Sequence, residues 1–387
     1  MHESAYSPRQ AKGDAVLVID ESDNGADMYY ATGFLVPDPF TYLELGGEKI
    51  AILKDLELGR AKLEAAVDRI VPVSRYEELL REAEIKPTPA NVLKAFLDEE
   101  GCDDRTFAVA ANFPVAHADA LRRLGFNLKV KSSSLFPERA VKTKKEIEWV
   151  HTSQQAAEGC MTWIFDQLAA AKIGDDEMLH TDDGPLHVED LRRGAQQYLL
   201  GRDCVALSMI IAPGDQGCDP HLEGSGHVPA NRTIIVDIFP RSLKTRYWGD
   251  ITRTPVRGKA SDEIKALYRD VLETQEMALA MVRPGVDGQD IHTAVQESFE
   301  KQNRPTEERD GQKVGYFHGT GHGVGLDIHE APSLGRVKSI LEAGHTITVE
   351  PGLYYPGLGA VRIEDTVLVT DDGYENLTVF PKDSFEI

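Results

Sequence analysis

Two aspartates stand beside apolar residues in strand-like segments of this 387-residue chain, and they restrict how these segments can fold. Asp237 lies in the segment 231–239, and Asp250 follows thirteen residues later in the segment 247–254. An ionised carboxylate in an apolar strand costs several kcal/mol unless a cation pairs with it. A turn at Pro240 folds the two segments into a hairpin and brings both side chains close together on one face. The pattern therefore predicts a cation between them.

Two explanations fit the aspartate pair taken alone. Either a metal ion lies between the carboxylates, or each carboxylate pairs with a nearby arginine. Three arginines are close enough in the sequence: Arg241, Arg246 and Arg253. A second acidic pair in strand-like sequence favours the metal ion, because Glu350 ends the segment 346–350 and Glu364 lies in the segment 360–369. We therefore expect four carboxylates to converge on one site.

A glycine-rich segment between the two acidic pairs adds an imidazole. His322 lies in the sequence Gly319-Thr-Gly-His-Gly-Val-Gly325, where the glycines let the backbone approach a site closely. Four carboxylates and one imidazole form an oxygen-rich ligand set, which suits Mn²⁺, Co²⁺ or Zn²⁺ rather than a thiolate-type zinc site. Because carboxylates can bridge, two ions about 3.5–4 Å apart can share a water and lower its pKa. The five side chains thus predict a two-metal hydrolase.

Helical and strand-like segments alternate in the second part of the chain. Thr143 and Glu146 form a capping-box sequence ahead of a long helix. A second helix is predicted from Ser261, and Pro284-Gly285 ends it. A hairpin follows each helical region, which indicates a duplicated half-domain although the two halves share no obvious sequence repeat. We expect an α+β fold in this part.

The first 135 residues alternate short strands and helices and carry no clustered acids, bases or metal ligands. Strands are predicted at Ala15–Ile19, Lys49–Leu53, Arg69–Val73 and Thr106–Ala110, and helices at Ala90–Leu97 and Ala118–Leu124. The sequence turns polar and basic at Ser132–Lys145, which marks a domain boundary. A small α/β domain is therefore predicted for residues 1–135.

Composition excludes several classes of protein. The formal charge of −22 argues against nucleic acid or an anionic membrane surface as a partner. No run of eighteen apolar residues is present, so no membrane span is predicted, and the first residues lack the pattern of a secretory signal. The four cysteines have no CxxC spacing, which favours reduced thiols and a cytoplasmic location. Cys218 near His221 is the alternative nucleophile, but such close pairs rarely give the apposed geometry that thiol catalysis requires.

Five motifs in this order resemble those of the pita-bread-fold metallopeptidases, the family of methionine aminopeptidases, aminopeptidase P and prolidase. Asp237 and Asp250 match its paired aspartates, the second within Gly-Asp-Ile-Thr-Arg-Thr. His322 matches the ligand of its Gly-His-Gly motif, and Glu350 and Glu364 match the ligands in Val-Glu-Pro-Gly and Arg-Ile-Glu-Asp. The resemblance covers residues 140–387 and implies a pita-bread catalytic domain with two divalent metal ions.

The resemblance also implies which histidines contact the substrate. His318, His329 and His221 match histidines that hold the scissile carbonyl and stabilise the oxyanion. His227 is the alternative to His221. Six other histidines are expected to have no role in catalysis: His2, His117, His151, His180, His187 and His345.

Two further residues receive roles in the same way. Glu350 is expected to take a proton from the bridging water and deliver it to the leaving nitrogen. Arg362 is expected to orient the neighbouring carboxylates, and its alternative is an ion pair on the surface of a strand.

The N-terminal domain is similar to that of the aminopeptidase P, prolidase and creatinase branch, and the segment 27–34 resembles a Tyr-Leu-Thr-Gly-Phe stretch of these long members. The leading hypothesis is cleavage of an Xaa-Pro bond, at the N-terminus of peptides or in dipeptides, by a metal-bridging hydroxide. A homodimer is expected. The alternatives are a metal-independent creatinase-type hydrolase and a non-catalytic peptide-binding protein, and the complete ligand set disfavours both.

Two departures from the family bear on substrate choice. Some prolidases carry an arginine just after the His-Glu-x-Pro motif for the substrate's terminal carboxylate, whereas here Ser333 has that position and Arg336 follows. The hairpin after Asp237 is also longer than usual and contains bulky residues such as Phe239 and Trp248. We expect these groups to reshape the pocket.

Overall fold

The computed structural model describes residues 15–132 and 134–387, which divide after Arg139 into two compact units. His2 lies outside the described residues. Within the described ranges, no helix is both long enough and apolar enough to cross a membrane.

The first unit is built on a six-stranded mixed sheet. Its elements in chain order are β1 (Ala15–Asp20), α1 (Ala26–Thr32), β2 (Phe40–Leu45), β3 (Glu48–Leu53), α2 (Leu58–Glu64), β4 (Arg69–Pro72), α3 (Val73–Glu82), α4 (Pro89–Glu99), β5 (Thr106–Ala110), α5 (Val115–Arg123) and β6 (Asn127–Lys131). The sheet order is β4-β3-β2-β1-β5-β6. The β1–β2 and β2–β3 pairs are antiparallel, and the other three pairs are parallel.

The four strands and two helices predicted for this unit are present within a few residues of their expected bounds. Two strands were missed. Thr41 and Glu44 interrupt the apolar pattern of β2, and β6 is a largely exposed edge strand with polar side chains. Neither strand therefore shows the apolar run that reveals a buried strand.

The second unit begins with a pair of helices and a set of short strands. These elements are α6 (Lys144–Ala170), β7 (Lys172–Ile173), β8 (Leu179–Thr181), β9 (Gly184–Pro185), α7 (Val188–Leu200), β10 (Cys204–Val205), β11 (Ile210–Pro213), β12 (Ile234–Ile238), β13 (Arg241–Ser242) and β14 (Ile251–Arg253). The predicted capping box starts α6, since the Thr143 hydroxyl accepts from the Glu146 backbone N–H and the Glu146 carboxylate accepts from the Thr143 backbone N–H.

A second pair of helices and a larger sheet follow. They are α8 (Asp262–Met281), α9 (Gly288–Lys301), β15 (Glu307–Arg309), β16 (Gln312–Val314), β17 (Gly321–Gly323), β18 (Glu330–Leu334), β19 (Thr346–Val349), β20 (Gly352–Tyr355), β21 (Gly359–Arg362), β22 (Asp365–Val369) and β23 (Tyr374–Asn376). Ser261 caps α8 by accepting from the Ile264 backbone N–H, as the sequence predicts.

Each helix pair packs on strands of its own half through a separate hydrophobic cluster. One cluster joins apolar residues of α6 and α7 to β11 and β12. The other joins residues of α8 and α9 to β19 and β22. Apolar side chains at helical spacing supply both clusters. Each half of this unit, made of two helices and a hairpin, therefore has a hydrophobic core of its own.

The first predicted hairpin forms, but its two aspartates are staggered. Strands β12 and β14 pair antiparallel with Asp237 opposite Thr252. Asp250 lies two residues before Thr252, so the two aspartates share one face as diagonal neighbours and not as directly opposed residues. The long turn between them contains β13, which pairs with β10. The extra residues of this long turn therefore have a structural role of their own, which is to pair with β10.

The second hairpin keeps one register over its full length. Val349 pairs with Asp365 in β19 and β22, and Gly352 pairs with Arg362 in β20 and β21. Glu350 and Glu364 occupy the short interval between these two ladders and therefore lie directly opposite each other. Alternation along paired strands then sends both carboxylates to the same face.

Candidate functional site

The second unit contains a cavity of about 350 Å³, and all the predicted metal ligands and catalytic residues line it. The apolar part of its wall comes from Ile210, Pro220, Phe239 and Ile328. The polar part comes from His221, Asp237, Asp250, His318, His322, His329, Glu350, Arg362 and Glu364. Acids, imidazoles and a guanidinium thus meet beside an apolar wall, which is the usual composition of a small-molecule site.

Hydrogen bonds of two threonines join the two hairpins next to the acids of this cavity. The Glu364 backbone N–H donates to the Thr252 carbonyl at 3.1 Å, and the Thr366 hydroxyl donates to the Asp250 carbonyl at 2.8 Å. The Thr252 hydroxyl also donates to Glu364 Oε2 at 2.8 Å. The acids of both hairpins are therefore held against one another by direct backbone and hydroxyl contacts, and none of these threonines was predicted.

Three predicted ligands lie closest together. One ligand atom each of Asp250, His322 and Glu364 falls within 4.8 Å of the others. His322 Nε2 is 3.7 Å from Asp250 Oδ2 and 3.5 Å from Glu350 Oε1. Such spacing allows one divalent ion to contact several of these atoms after small rotations.

The tautomer of His322 suits a metal ligand. Its Nδ1 lies 3.2 Å from the Gly323 carbonyl oxygen, which can only accept a hydrogen bond. Nδ1 therefore carries the proton, and the lone pair of Nε2 points at the carboxylates. A backbone carbonyl that fixes the ring in this way is the usual partner of a metal-binding histidine.

Asp237, another predicted ligand, has a hydrogen-bond partner at only one of its two carboxylate oxygens among the described residues. Arg362 Nη2 donates to Asp237 Oδ2 at 2.7 Å. Asp237 Oδ1 is buried and has no hydrogen-bond partner among the described residues. An unpartnered buried carboxylate oxygen is costly, and a cation at this position removes that cost. The donor set therefore fits a divalent metal ion.

Crowding of buried acids shifts the carboxyl pKa values upward in the metal-free protein. Burial raises the pKa of Asp250 well above its usual value, and the nearby Glu364, Asp237 and Glu350 raise it further. Burial also raises the pKa of Glu364, Asp237 and Glu350, the last to about 7. Like charges held together out of water disfavour the ionised form. A bound cation opposes both causes.

Arg362 and Tyr354 connect the acids to the histidines. Arg362 Nη1 donates to the Tyr354 hydroxyl at 3.1 Å, and this hydroxyl lies 2.8 Å from His318 Nε2. The same guanidinium pairs with Asp237 and is 3% exposed, so it does not form the surface ion pair considered as its alternative. Tyr354 was not predicted, because an apolar strand gives a tyrosine no distinguishing pattern.

His318, His322 and His329 are neutral at pH 7. Burial lowers the pKa of His318 and of His322, each to about 3, and lowers the pKa of His329 as well. His318 Nδ1 lies 2.7 Å from the Gly319 carbonyl, so this nitrogen carries the proton and Nε2 accepts from the Tyr354 hydroxyl. The His329 ring packs edge-on against His322, with 4.3 Å between the ring centroids.

Several alternatives left open by the sequence lie elsewhere. His227 packs on His187, at 4.3 Å between ring centroids, and neither belongs to the residues that line the cavity. Arg253 pairs with Asp365 and not with either aspartate of its hairpin. Burial raises the pKa of the Cys218 thiol to about 12, which leaves almost none of the thiolate that a nucleophile needs at pH 7.

One bulky residue of the long hairpin lines the cavity, and two others make hydrogen bonds elsewhere in the second unit. Phe239 lines the cavity. The Tyr247 hydroxyl donates to Glu146 at 2.5 Å, and the Trp248 indole donates to the Leu326 carbonyl at 3.0 Å. The described residues around the cavity include neither Tyr247 nor Trp248, nor do they include Ser333 and Arg336. Of these groups, Phe239 alone reshapes the pocket wall.

Comparison with known proteins identifies relatives over the whole site. The sequence profile of metallopeptidase family M24 matches residues 146–371. An Xaa-Pro dipeptidase of Pyrococcus furiosus is 31% identical over 242 residues, which are 62% of this chain and 63% of that protein. An Xaa-Pro dipeptidase of Pyrococcus horikoshii is 26% identical over 373 residues, covering 94% and 92% of the two chains. The match to the first of these relatives thus spans a little less than two thirds of its length.

Solved structures share the fold. The prolidase of Pyrococcus horikoshii superimposes with a TM-score of 0.76 at 22% identity, over 96% of this chain and 95% of that one. The expected α+β architecture, an N-terminal domain followed by a pita-bread domain, is thereby confirmed.

Proposed function

Because this chain belongs to metallopeptidase family M24, we propose that it is a peptidase that cleaves Xaa-Pro bonds with the help of two divalent metal ions. The observation that carries the proposal is the convergence of four carboxylates and four histidines on one cavity with an apolar wall. Bound Mn²⁺, Co²⁺ or Zn²⁺ would supply a water of lowered pKa as the nucleophile. Dipeptides and the N-termini of longer peptides are the proposed substrates.

Glu350 is proposed to move the proton in this reaction. Its carboxyl lies in the cavity, and its backbone N–H is fixed to the Thr320 carbonyl at 2.8 Å. In the metal-free protein burial raises the pKa of this carboxyl to about 7, and a carboxylate in the cavity can accept a proton from the attacking water and then release it. The leaving prolyl nitrogen would receive this proton.

His221, His318 and His329 are proposed to hold the scissile carbonyl. All three line the cavity, and a neutral imidazole can donate one hydrogen bond to a developing oxyanion. In the structure the two nitrogens of His318 are engaged by Gly319 and Tyr354. Donation from Nε2 to a substrate carbonyl therefore requires the Tyr354 hydroxyl to leave and the ring proton to move from Nδ1 to Nε2, which makes Tyr354 part of the proposed site.

The apolar wall supports a proline substrate. Phe239 and Ile328 lie on the same cavity as the acids, and they can bury the pyrrolidine ring that a prolyl residue presents. A prolyl nitrogen carries no N–H, so the pocket needs no acceptor at that position. Shape and apolar contact are therefore sufficient to accept it.

A substrate screen tests this proposal directly. The metal-loaded protein should release free proline from Xaa-Pro dipeptides or the first residue from longer Xaa-Pro peptides, each measured with Mn²⁺, Co²⁺ and Zn²⁺. Met-initiated peptides without proline and creatine serve as controls. Turnover of creatine after exhaustive chelation would establish the creatinase-type alternative, and binding without hydrolysis would establish a non-catalytic protein.

Arg336 is expected to contribute little to dipeptide binding. It is exposed and does not belong to the described lining of the cavity, so its guanidinium is poorly placed to bind a terminal carboxylate there. Arg336→Ala should change KM for an Xaa-Pro dipeptide less than about twofold, since solvent screens an exposed charge that does not line the cavity. A tenfold rise in KM for dipeptides, with no change for longer peptides, would assign Arg336 to carboxylate recognition.

A further inference from the structure

A buried polar cluster lies directly behind the proposed catalytic groups. It consists of His292 on α9, Tyr316 and Thr320, and each is at most 2% exposed. His292 Nδ1 is 3.2 Å from the Tyr316 hydroxyl and 3.0 Å from Thr320 Oγ1, and the two hydroxyls are 2.5 Å apart. The three polar atoms therefore form a closed triangle.

This triangle is an expensive arrangement for a core. Burial lowers the pKa of His292, so the ring is neutral and bonds to the hydroxyls through one nitrogen. Its Nε2 is buried without a hydrogen-bond partner in the part of the chain that the structure describes. An unsatisfied buried polar atom destabilises the folded state, and an apolar ring of similar size would fill the same space without that cost.

Two direct contacts lead from the triangle to the cavity. The Thr320 carbonyl accepts the backbone N–H of Glu350 at 2.8 Å. The Tyr316 ring packs edge-on against the His318 ring, with 5.2 Å between the centroids. The triangle is therefore connected to two residues that line the cavity, Glu350 and His318, although His292 itself does not line it.

We infer that His292 is a positioning residue that fixes Glu350 and His318 through the Thr320 peptide and the Tyr316 ring. The inference rests on the proposed function, because it assigns His292 a part in the same reaction. The hydrogen bonds among His292, Tyr316 and Thr320 hold these side chains in one arrangement. Misplacement of a reacting group by about 1 Å can lower the rate roughly a hundredfold.

Three variants separate positioning from simple packing. His292→Phe keeps a ring but removes the nitrogen, His292→Asn keeps a polar atom near the Nδ1 position, and Tyr316→Phe removes only the hydroxyl. Val295→Ala is the matched control, because Val295 is fully buried one turn further along the same helix and has no polar contact. Each is compared with the wild-type protein well below its unfolding temperature.

His292→Phe and Tyr316→Phe should each lower kcat for an Xaa-Pro dipeptide about tenfold or more with KM changed less than about twofold. His292→Asn should keep most of the kcat that His292→Phe loses. The double variant His292→Phe/Tyr316→Phe should have a kcat no lower than that of the slower single variant. Val295→Ala should lower the melting temperature and leave kcat within about twofold. Unchanged kcat in His292→Phe, or an equal loss in Val295→Ala, would overturn the inference.

A calorimetric titration of the metal-free protein with Mn²⁺ provides a readout that does not depend on turnover. Mn²⁺ binding should weaken about fivefold in His292→Phe and remain unchanged in Val295→Ala, because a displaced Glu350 is a poorer ligand. If the wild-type protein hydrolyses no Xaa-Pro substrate, the proposed function fails, and this titration still decides on positioning. Equal Mn²⁺ affinities in the wild type and His292→Phe would then reject it.

Discussion

Glu350→Gln is expected to reduce kcat for Xaa-Pro hydrolysis by about a thousandfold while the protein remains folded. Glutamine has nearly the same size and keeps one carbonyl oxygen, but it cannot accept the proton of an attacking water. The backbone N–H of residue 350 still reaches the Thr320 carbonyl, so the strand should stay in place. Steady-state kinetics with an Xaa-Pro dipeptide, combined with thermal unfolding, measures both effects.

Glu375→Gln is the matched control for this substitution. Glu375 is exposed on β23 of the same unit, and its charge lies outside the described lining of the cavity. Its loss should leave kcat and KM unchanged within error. A Glu350→Gln protein that keeps more than about a tenth of the wild-type kcat would remove Glu350 from its proposed role in proton transfer.

Removal of divalent ions is expected to abolish turnover and to lower the melting temperature. Four carboxylates converge in the cavity, and without a cation their mutual repulsion and burial oppose folding. A ligand present at a hundred times its Kd stabilises the folded state by about 2.7 kcal/mol. Chelation followed by addition of Mn²⁺, Co²⁺ or Zn²⁺ should therefore restore both activity and melting temperature. Full activity after exhaustive chelation would contradict the metal mechanism.

Asp250→Asn is expected to stabilise the metal-free protein and to abolish the activity of the metal-loaded protein. In the metal-free protein it removes one buried acid beside Glu364, Asp237 and Glu350, so the free energy of unfolding should rise by about 1 kcal/mol. With metal present, the variant should show no turnover and little metal-induced rise in melting temperature. Asp371→Asn, at an exposed turn, should behave like the wild type in both states. A metal-free Asp250→Asn protein that is less stable than wild type would refute the repulsion argument.

Much of the candidate site could be predicted because charged residues in apolar strands are costly. Asp237 and Glu350 are conspicuous for this reason alone, and antiparallel pairing brings each towards its partner. The stagger of the aspartates could not be predicted, since it depends on β13 pairing with β10. This contact joins residues about forty positions apart in the sequence, and no local pattern specifies it.

The supporting residues escaped prediction for a different reason. Thr252, Tyr354 and His292 are residue types that occur commonly in ordinary strands and helices, so their composition carries no signal. Their importance arises from partners more than twenty positions away, such as Glu364 for Thr252 and Thr320 for His292. The N-terminal unit shows the same limit, because β6 has an exposed pattern and is recognisable only beside β5.

The constant register of the second hairpin determines where its length can change during evolution. Residues added at the tip, between Tyr355 and Gly359, leave the pairing of both ladders as it is. A single residue inserted between Val349 and Gly352 would turn the side chains on one arm to the opposite face, and Glu350 would then point away from Glu364. Length variation among relatives should therefore concentrate at this tip, while both arms keep a fixed number of residues.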